Sequence, residues 1–138
     1  MDIKSKLDEI GLSPENSVVI GSGILDALEI RGNKDVDAVV SRDAYERLSL
    51  NNHFQKAENH GKEVLTDGLM EIGTSWTVIG EDWDFNMLLN QSVVIDEVRY
   101  NTLQFLLDVK RSWLKDADVR EKDINDVRLI EEYMRRSA

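Results

Sequence analysis

The sequence predicts a single α+β domain spanning residues 1–138, and three observations predict it. The first is a strand, glycine turn, short helix and second strand written in Val18 to Ser41, VVIGSGILDALEIRGNKDVDAVVS. The second is a series of short extended segments separated by glycine turns between His53 and Ile79. The third is a pair of amphipathic, helix-period patterns that close the chain. No internal repeat, low-complexity tract or linker divides it.

Composition narrows the class of function. A hydrophobic share of 41% and a charged share of 32% fit a chain that buries an ordinary core. No apolar run approaches the ~20 residues that span a bilayer, and the charged start MDIKSKLDEIGL lacks a signal-peptide core. A cytoplasmic location without membrane association is therefore expected. The chain has no cysteine, which excludes disulfides and thiolate zinc sites. Its formal net charge of −10 argues against tracking long nucleic acid, because neutralisation of phosphates by Lys and Arg dominates that affinity. A single nucleotide bound through a metal ion, a cationic small molecule and a basic protein partner all remain compatible with it.

Taken in order, Asp2 to Ile10 reads as a helix with Ile3, Leu7 and Ile10 on one side, ended by Gly11, with Pro14 in the following turn. Val18 to Ile20 is a buried strand, and Ser22 is placed to cap a helix bearing Ile24, Leu25 and Leu28. Arg31-Gly32-Asn33 is a turn, Lys34 to Val40 an acidic strand, and Ser41 the N-cap of a helix reaching about Leu50. Phe54 to Ala57, Val64 to Thr66 and Leu69 to Ile72 are expected strands, turning at His60-Gly61 and Asp67-Gly68. Glu81 to Leu89 is expected to be a helix, and Val93 to Ile95 and Val98 to Tyr100 a hairpin around Asp96-Glu97. Helices over about Leu103 to Lys115 and Arg120 to Arg135 finish the chain.

Candidate chemistry concentrates in the Val18–Ser41 unit. Alternation along a strand puts Asp35, Asp37 and Val39 on one face and Val36, Ala38 and Val40 on the other. Two carboxylates about 7 Å apart along a strand are suitable ligands for Mg2+, a hard cation that prefers oxygen and keeps several waters. Gly21-Ser22-Gly23 lets a phosphate approach the backbone at the start of a helix. A third carboxylate would complete a two-metal site or act as a base toward an acceptor hydroxyl. Glu71, between Met70 and Ile72 on an expected strand, is the candidate, ahead of Asp67 and Asp84. Read singly, a Gly-Ser-Gly is a tight turn and two alternating acids are a solvated face; together, at this spacing, they point to a metal and nucleoside triphosphate site. A dinucleotide fingerprint and a P-loop are both absent.

The terminal helices add a buried-charge question. Leu103, Leu106, Leu107, Trp113 and Leu114 form an apolar stripe with Lys110 in its middle, and Asp123 and Asp126 lie beside the inward Val127, Ile130, Tyr133 and Met134. Lys110 pairs with Asp123 between the helices, extends its ammonium to solvent, or reaches a phosphate at a pocket edge. His53 and His60 lack metal-ligand spacing; Trp76, Trp83 and Trp113 read as core or pocket wall; Arg135-Arg136 complements a helix dipole.

With these residues in view, the chain resembles the nucleotidyltransferase superfamily with the polymerase-β-like fold. The resemblance rests on Ile20-Gly21-Ser22, twelve intervening residues, then Asp35-Val36-Asp37-Ala38. The run LQFLLDVKRSWLKDADVREKDINDVRLIEEYM, with Lys110, Lys122, Asp123 and Asp126, resembles the tail of small bacterial members, including toxin–antitoxin and aminoglycoside-modifying relatives. The resemblance implies a twisted mixed β-sheet flanked by helices, with Mg2+ held by Asp35 and Asp37. It also implies contacts from Gly21, Ser22, Gly23 and Lys110 to the nucleotide. The implied reaction moves a nucleoside monophosphate from a triphosphate, ATP foremost, to a hydroxyl of a small molecule or protein, with release of pyrophosphate. A chain this short leaves little room for a separate acceptor domain, so a second subunit, as in a homodimer, is expected to complete the acceptor site. Many small relatives carry an arginine soon after the Gly-Ser, where this chain has Gly23-Ile24-Leu25 and offers Arg31 only later. That departure motivates the alternative of a non-catalytic binding module, an antitoxin or regulator.

Overall fold

Short apolar runs and well-formed caps decide the elements of the computed structural model, which describes residues 2–137. Helix α1 (Ile3–Glu9) buries Ile3 and Leu7 and is capped by Asp2, whose carboxylate accepts from the Ser5 N–H. Strand β1 (Ser17–Ile20), helix α2 (Gly23–Ala27), strand β2 (Val36–Val40) and helix α3 (Arg42–Ser49) follow. Ser41 caps α3 as expected, its hydroxyl accepting from the Ala44 N–H. Strands β3 (Gln55–Asn59) and β4 (Lys62–Thr66) are joined through His60 and Gly61, both at positive φ, in a two-residue hairpin turn. Strand β5 (Met70–Gly73) comes next, followed by β6 (Ser75–Val78), β7 (Glu81–Asp84) and helix α4 (Phe85–Leu89). Strands β8 (Ser92–Ile95) and β9 (Val98–Asn101) turn at Asp96-Glu97, and helices α5 (Leu103–Trp113) and α6 (Glu121–Ser137) end the chain.

Two expectations are corrected. Glu81 to Asp84 is a strand rather than the first turn of a helix: it pairs with β6 across Ile79-Gly80, a turn with both φ positive. Helix α4 starts only at Phe85, where the Asp84 carboxylate accepts from the Met87 N–H. Strand β2 begins at Val36, not Lys34, because Val36 is the first residue to pair with β5. The carbonyl of Asp35 is taken by the Asn33 side-chain amide at 2.6 Å.

Seven strands form one mixed sheet in the order β3-β4-β5-β2-β1-β9-β8, with β6 and β7 as a separate two-stranded ribbon. β1 runs antiparallel to β2, while β2 with β5 and β1 with β9 are parallel. Strand alternation distributes side chains between two apolar clusters on opposite faces. Val19, Val36, Ala38 and Val40 pack with α1, α2, α3 and α6. Val18 and Val39 pack with Val78, Phe85 and Leu88, and α5 contributes to both clusters, Leu106 to the first and Phe105 to the second. Among the described residues no helix is long and apolar enough to cross a membrane.

Candidate active site

The register of three neighbouring strands assembles the site. Ile20, the last residue of β1, faces Asp37 on β2, and Asp37 faces Glu71 on β5. The Gly21 turn therefore leaves the sheet one strand from Asp37 and two from Glu71, and the two carboxylates stand side by side. Gly21 has φ +75 and open space where a Cβ would project, so this turn both requires and exposes a glycine. Ser22 occupies the N-cap position of α2 without a side-chain capping bond. Gly23 has a packing reason: a Cβ there would meet Val19 Cγ1 at 2.6 Å, so its absence lets α2 lie close on β1.

Asp37 and Glu71 both line a cleft of about 630 Å³ between the sheet, the β6 strand and the loop that joins α5 to α6. Asn59 donates to both carboxylate oxygens of Glu71, at 2.9 and 3.1 Å, and so fixes its orientation. Asp37 is exposed by its accessible surface, although protein packed around the cleft partly screens its carboxyl from water. Burial, reinforced by the negative charges of Glu71 and Asp35 and partly offset by Lys122, pushes its pKa from an ordinary 3.8 up to about 6. Trp76 and Trp113 form apolar wall, and the mouth carries Glu63, Asp116 and Asp118.

Other expected site residues lie elsewhere. Asp35 is exposed just ahead of β2 and does not line the cleft, although its charge is felt at Asp37. Lys110 is buried, and its ammonium sits 2.8 Å from Asp123 Oδ1 and 2.9 Å from Asp126 Oδ2. The interhelical ion pair, not a pocket-edge position, is the arrangement that Lys110 adopts, because an unpaired ammonium on a core-facing stripe would lose its hydration without compensation. Arg31 is committed to the same cluster, its guanidinium binding both oxygens of Asp126 at 2.7 and 2.8 Å. Burial alone would raise Asp123 and Asp126, but hydrogen bonds from Lys110, with Arg120 on the first and Arg31 on the second, outweigh it and hold both carboxyls below the ordinary range. Asp67 and Asp84 serve structure: Asp67 accepts from the Leu69 and Met70 N–H groups and pairs with His53, and Asp84 caps α4. His60 lines the cleft from the β3–β4 turn.

Sequence reasoning did not single out Lys62 or Arg120, the basic side chains that line the cleft. Arg120 stands three residues before Asp123, a spacing that places both on one side of a helix start and was legible in principle. Lys62 is brought in only by the β3–β4 hairpin, where its ammonium reaches Ser75, Thr77 and Asp82 of the β6–β7 ribbon.

The donor set suits a hard divalent cation. Asp37 and Glu71 offer carboxylate oxygens alone, and negative charge, with Asp35 adding to it from outside the cleft, is crowded at Asp37, which a cation would relieve. Among the described residues no three His, Asp or Glu side chains are gathered where they could hold a metal ion together. The fit is that of an open site in which one or two carboxylates and water share the ion, the arrangement Mg2+ favours.

No protein-family model matches the chain, and no curated protein matches it. Among solved structures, it is similar to the antibiotic-resistance factor ANT(2'')-Ia as determined in solution, with TM-score 0.59 and 17% identity over 96% of this chain and 80% of that one. It is equally similar to the crystal structure of ANT(2'')-Ia in complex with adenylyl-2''-tobramycin, with TM-score 0.59 and 16% identity over 96% of this chain and 85% of that one. The mixed sheet with two C-terminal helices is thus a nucleotidyltransferase-like fold.

Proposed function

We propose that this chain is a magnesium-dependent nucleotidyltransferase that moves a nucleoside monophosphate from a nucleoside triphosphate, ATP foremost, to a hydroxyl of a small molecule or protein. The observation that carries the reading is the juxtaposition of Asp37 and Glu71 on adjacent strands lining the cleft, with the Gly21 turn at the end of the strand beside Asp37. Asp35 and Asp37 would hold Mg2+, which when bound supplies charge neutralisation on the phosphates. The backbone N–H groups of Ser22 and Gly23 and the Ser22 hydroxyl, with the open backbone at Gly21, would orient the triphosphate. Glu71, steadied by Asn59, would take the proton of the acceptor hydroxyl. The acceptor oxygen then bonds to the α-phosphorus, the bond from that phosphorus to its bridging oxygen breaks, and pyrophosphate leaves with the electron pair. The acidic mouth, with Glu63, Asp116 and Asp118, favours a cationic acceptor.

The experiment is titration calorimetry of the chain with ATP, with and without Mg2+. The expected result is magnesium-dependent binding that Asp37→Ala abolishes. Equal binding by Asp37→Ala would remove the mechanism. One observation favours the alternative of a non-catalytic module: Arg31 is locked onto Asp126 and so does not replace the arginine that many small relatives carry after the Gly-Ser. No triphosphate binding, with stable capture of a basic protein, would select that alternative.

A further inference from the structure

We propose that Arg120 is the cation that receives the terminal phosphates of the bound triphosphate, and that Asp123 is the residue that positions it. The inference rests on the reading of this cleft as a nucleotidyl-transfer site and names a group that the sequence motifs do not supply. Arg120 lines the same cleft as Asp37 and Glu71. One edge of its guanidinium is anchored: Nε donates to Asp123 Oδ2 at 3.1 Å and an Nη2 hydrogen to Asp123 Oδ1 at 3.4 Å. Its Nη1 hydrogens have no hydrogen-bond partner among the described residues, and the side chain is 65% exposed. The group is therefore oriented but not consumed.

Charge balance gives the same answer. The buried cluster between α5 and α6 contains two carboxylates, Asp123 and Asp126, and two cations already bound to them, Lys110 and Arg31. These four neutralise one another, so Arg120 adds a positive charge beyond what the buried cluster needs. Lys62, the other basic residue on the cleft wall, is engaged by Asp82, Thr77 and Ser75. Arg120 is thus a cation on the cleft wall with donors to spare, in a planar fork that matches phosphate oxygens, which the Lys122 ammonium felt at Asp37 does not offer. The same balance accounts for Lys110 being buried: by sharing Asp123, it keeps that carboxylate ionised in the core, where it can hold Arg120 in place.

The test uses inorganic pyrophosphate and ATP with Mg2+ as calorimetric probes of the full chain, comparing wild type, Arg120→Gln and Arg120→Lys. Loss of a charge-assisted phosphate contact predicts roughly 10- to 100-fold weaker binding of both probes by Arg120→Gln. Arg120→Lys should recover part of that loss, since it keeps the charge but not the fork. Arg120→Gln also removes an edge contact to the buried Asp123, so its thermal midpoint should fall by a few °C while the chain stays folded, a loss that Arg120→Lys should partly restore. Pyrophosphate affinity equal in wild type and Arg120→Gln, or no pyrophosphate binding by wild type, would overturn the inference. If pyrophosphate binding depends on Arg120 yet no triphosphate is turned over, the transferase reading falls and the anion site stands.

Discussion

Asp37 is stressed by its own neighbourhood. With its pKa pushed up to about 6 by burial, Glu71 and Asp35, the ionised carboxyl destabilises the metal-free fold at neutral pH. The sign follows from the shift. A carboxyl raised above its unfolded value of ~3.9 carries its full penalty above pH 6 and loses it as pH falls toward ~4. The full linkage value would be of order 3 kcal/mol, and solvent access to the carboxyl reduces this to about 1 kcal/mol. Asp37→Asn should therefore raise the thermal midpoint in chelator by about 3 °C at pH 7.5, with the gain closing near pH 4. A variant no more stable than wild type would contradict the electrostatic account. At this scale the sequence was informative about Asp37 and Glu71, because strand alternation locates side chains on faces. It was less informative about Asp35, whose carbonyl is diverted to Asn33 before pairing begins, and about Gly23, whose small size serves contact with Val19. The spacing of Arg120 to Asp123 was readable, but the free edge of its guanidinium was not, because that depends on which charges the core has already neutralised.

At the scale of elements, the α5–α6 pair is held by charge inside an apolar seam. Lys110, Asp123 and Asp126 have side chains only 3, 4 and 1% exposed, so removing the lysine takes away the one cation shared by both buried carboxylates and leaves each with a single arginine, Arg120 on Asp123 and Arg31 on Asp126. Lys110→Met is expected to cost about 3–5 kcal/mol and to lower the thermal midpoint by roughly 10 °C. Asp123 and Asp126 are held below the ordinary carboxylate range, so their contribution is present above ~pH 4 and is lost as acid protonates them in the fold. The gap between variant and wild type in thermal melts should therefore narrow below about pH 4; a gap unchanged by acid would mean that Lys110 acts through packing alone. The stripe positions of Lys110 and Asp123 were readable from the helical period. The β6–β7 ribbon was not, because Ile79 sits at φ 53, a conformation that a β-branched residue seldom adopts. With no Asn-Gly or Asp-Gly to mark the turn, the Glu81 to Leu89 stretch took on the appearance of one helix, although Trp76 and Trp83 face each other across the ribbon.

At the scale of the molecule, strand order is what converts separate motifs into a site. The chain places Glu71 far from Asp37 in sequence, and only the parallel pairing of β5 with β2 makes them neighbours. The α+β class and most elements were legible from local pattern, whereas the order β3-β4-β5-β2-β1-β9-β8 depends on pairings between distant segments that no local pattern encodes. The fold in turn limits what the net charge of −10 can mean. Acidic residues ring the cleft while its basic side chains are few, an arrangement suited to one metal-borne nucleotide and a cationic acceptor rather than to a nucleic-acid track. The most direct test is transfer itself: each of the four ribonucleoside triphosphates, labelled at the α-phosphate, incubated with the chain, Mg2+ and cell extract. The account predicts label on a new product from at least one triphosphate, with pyrophosphate released, and loss of that product in Asp35→Ala and Asp37→Ala. No labelled product from any triphosphate, or an undiminished one from Asp37→Ala, would contradict it.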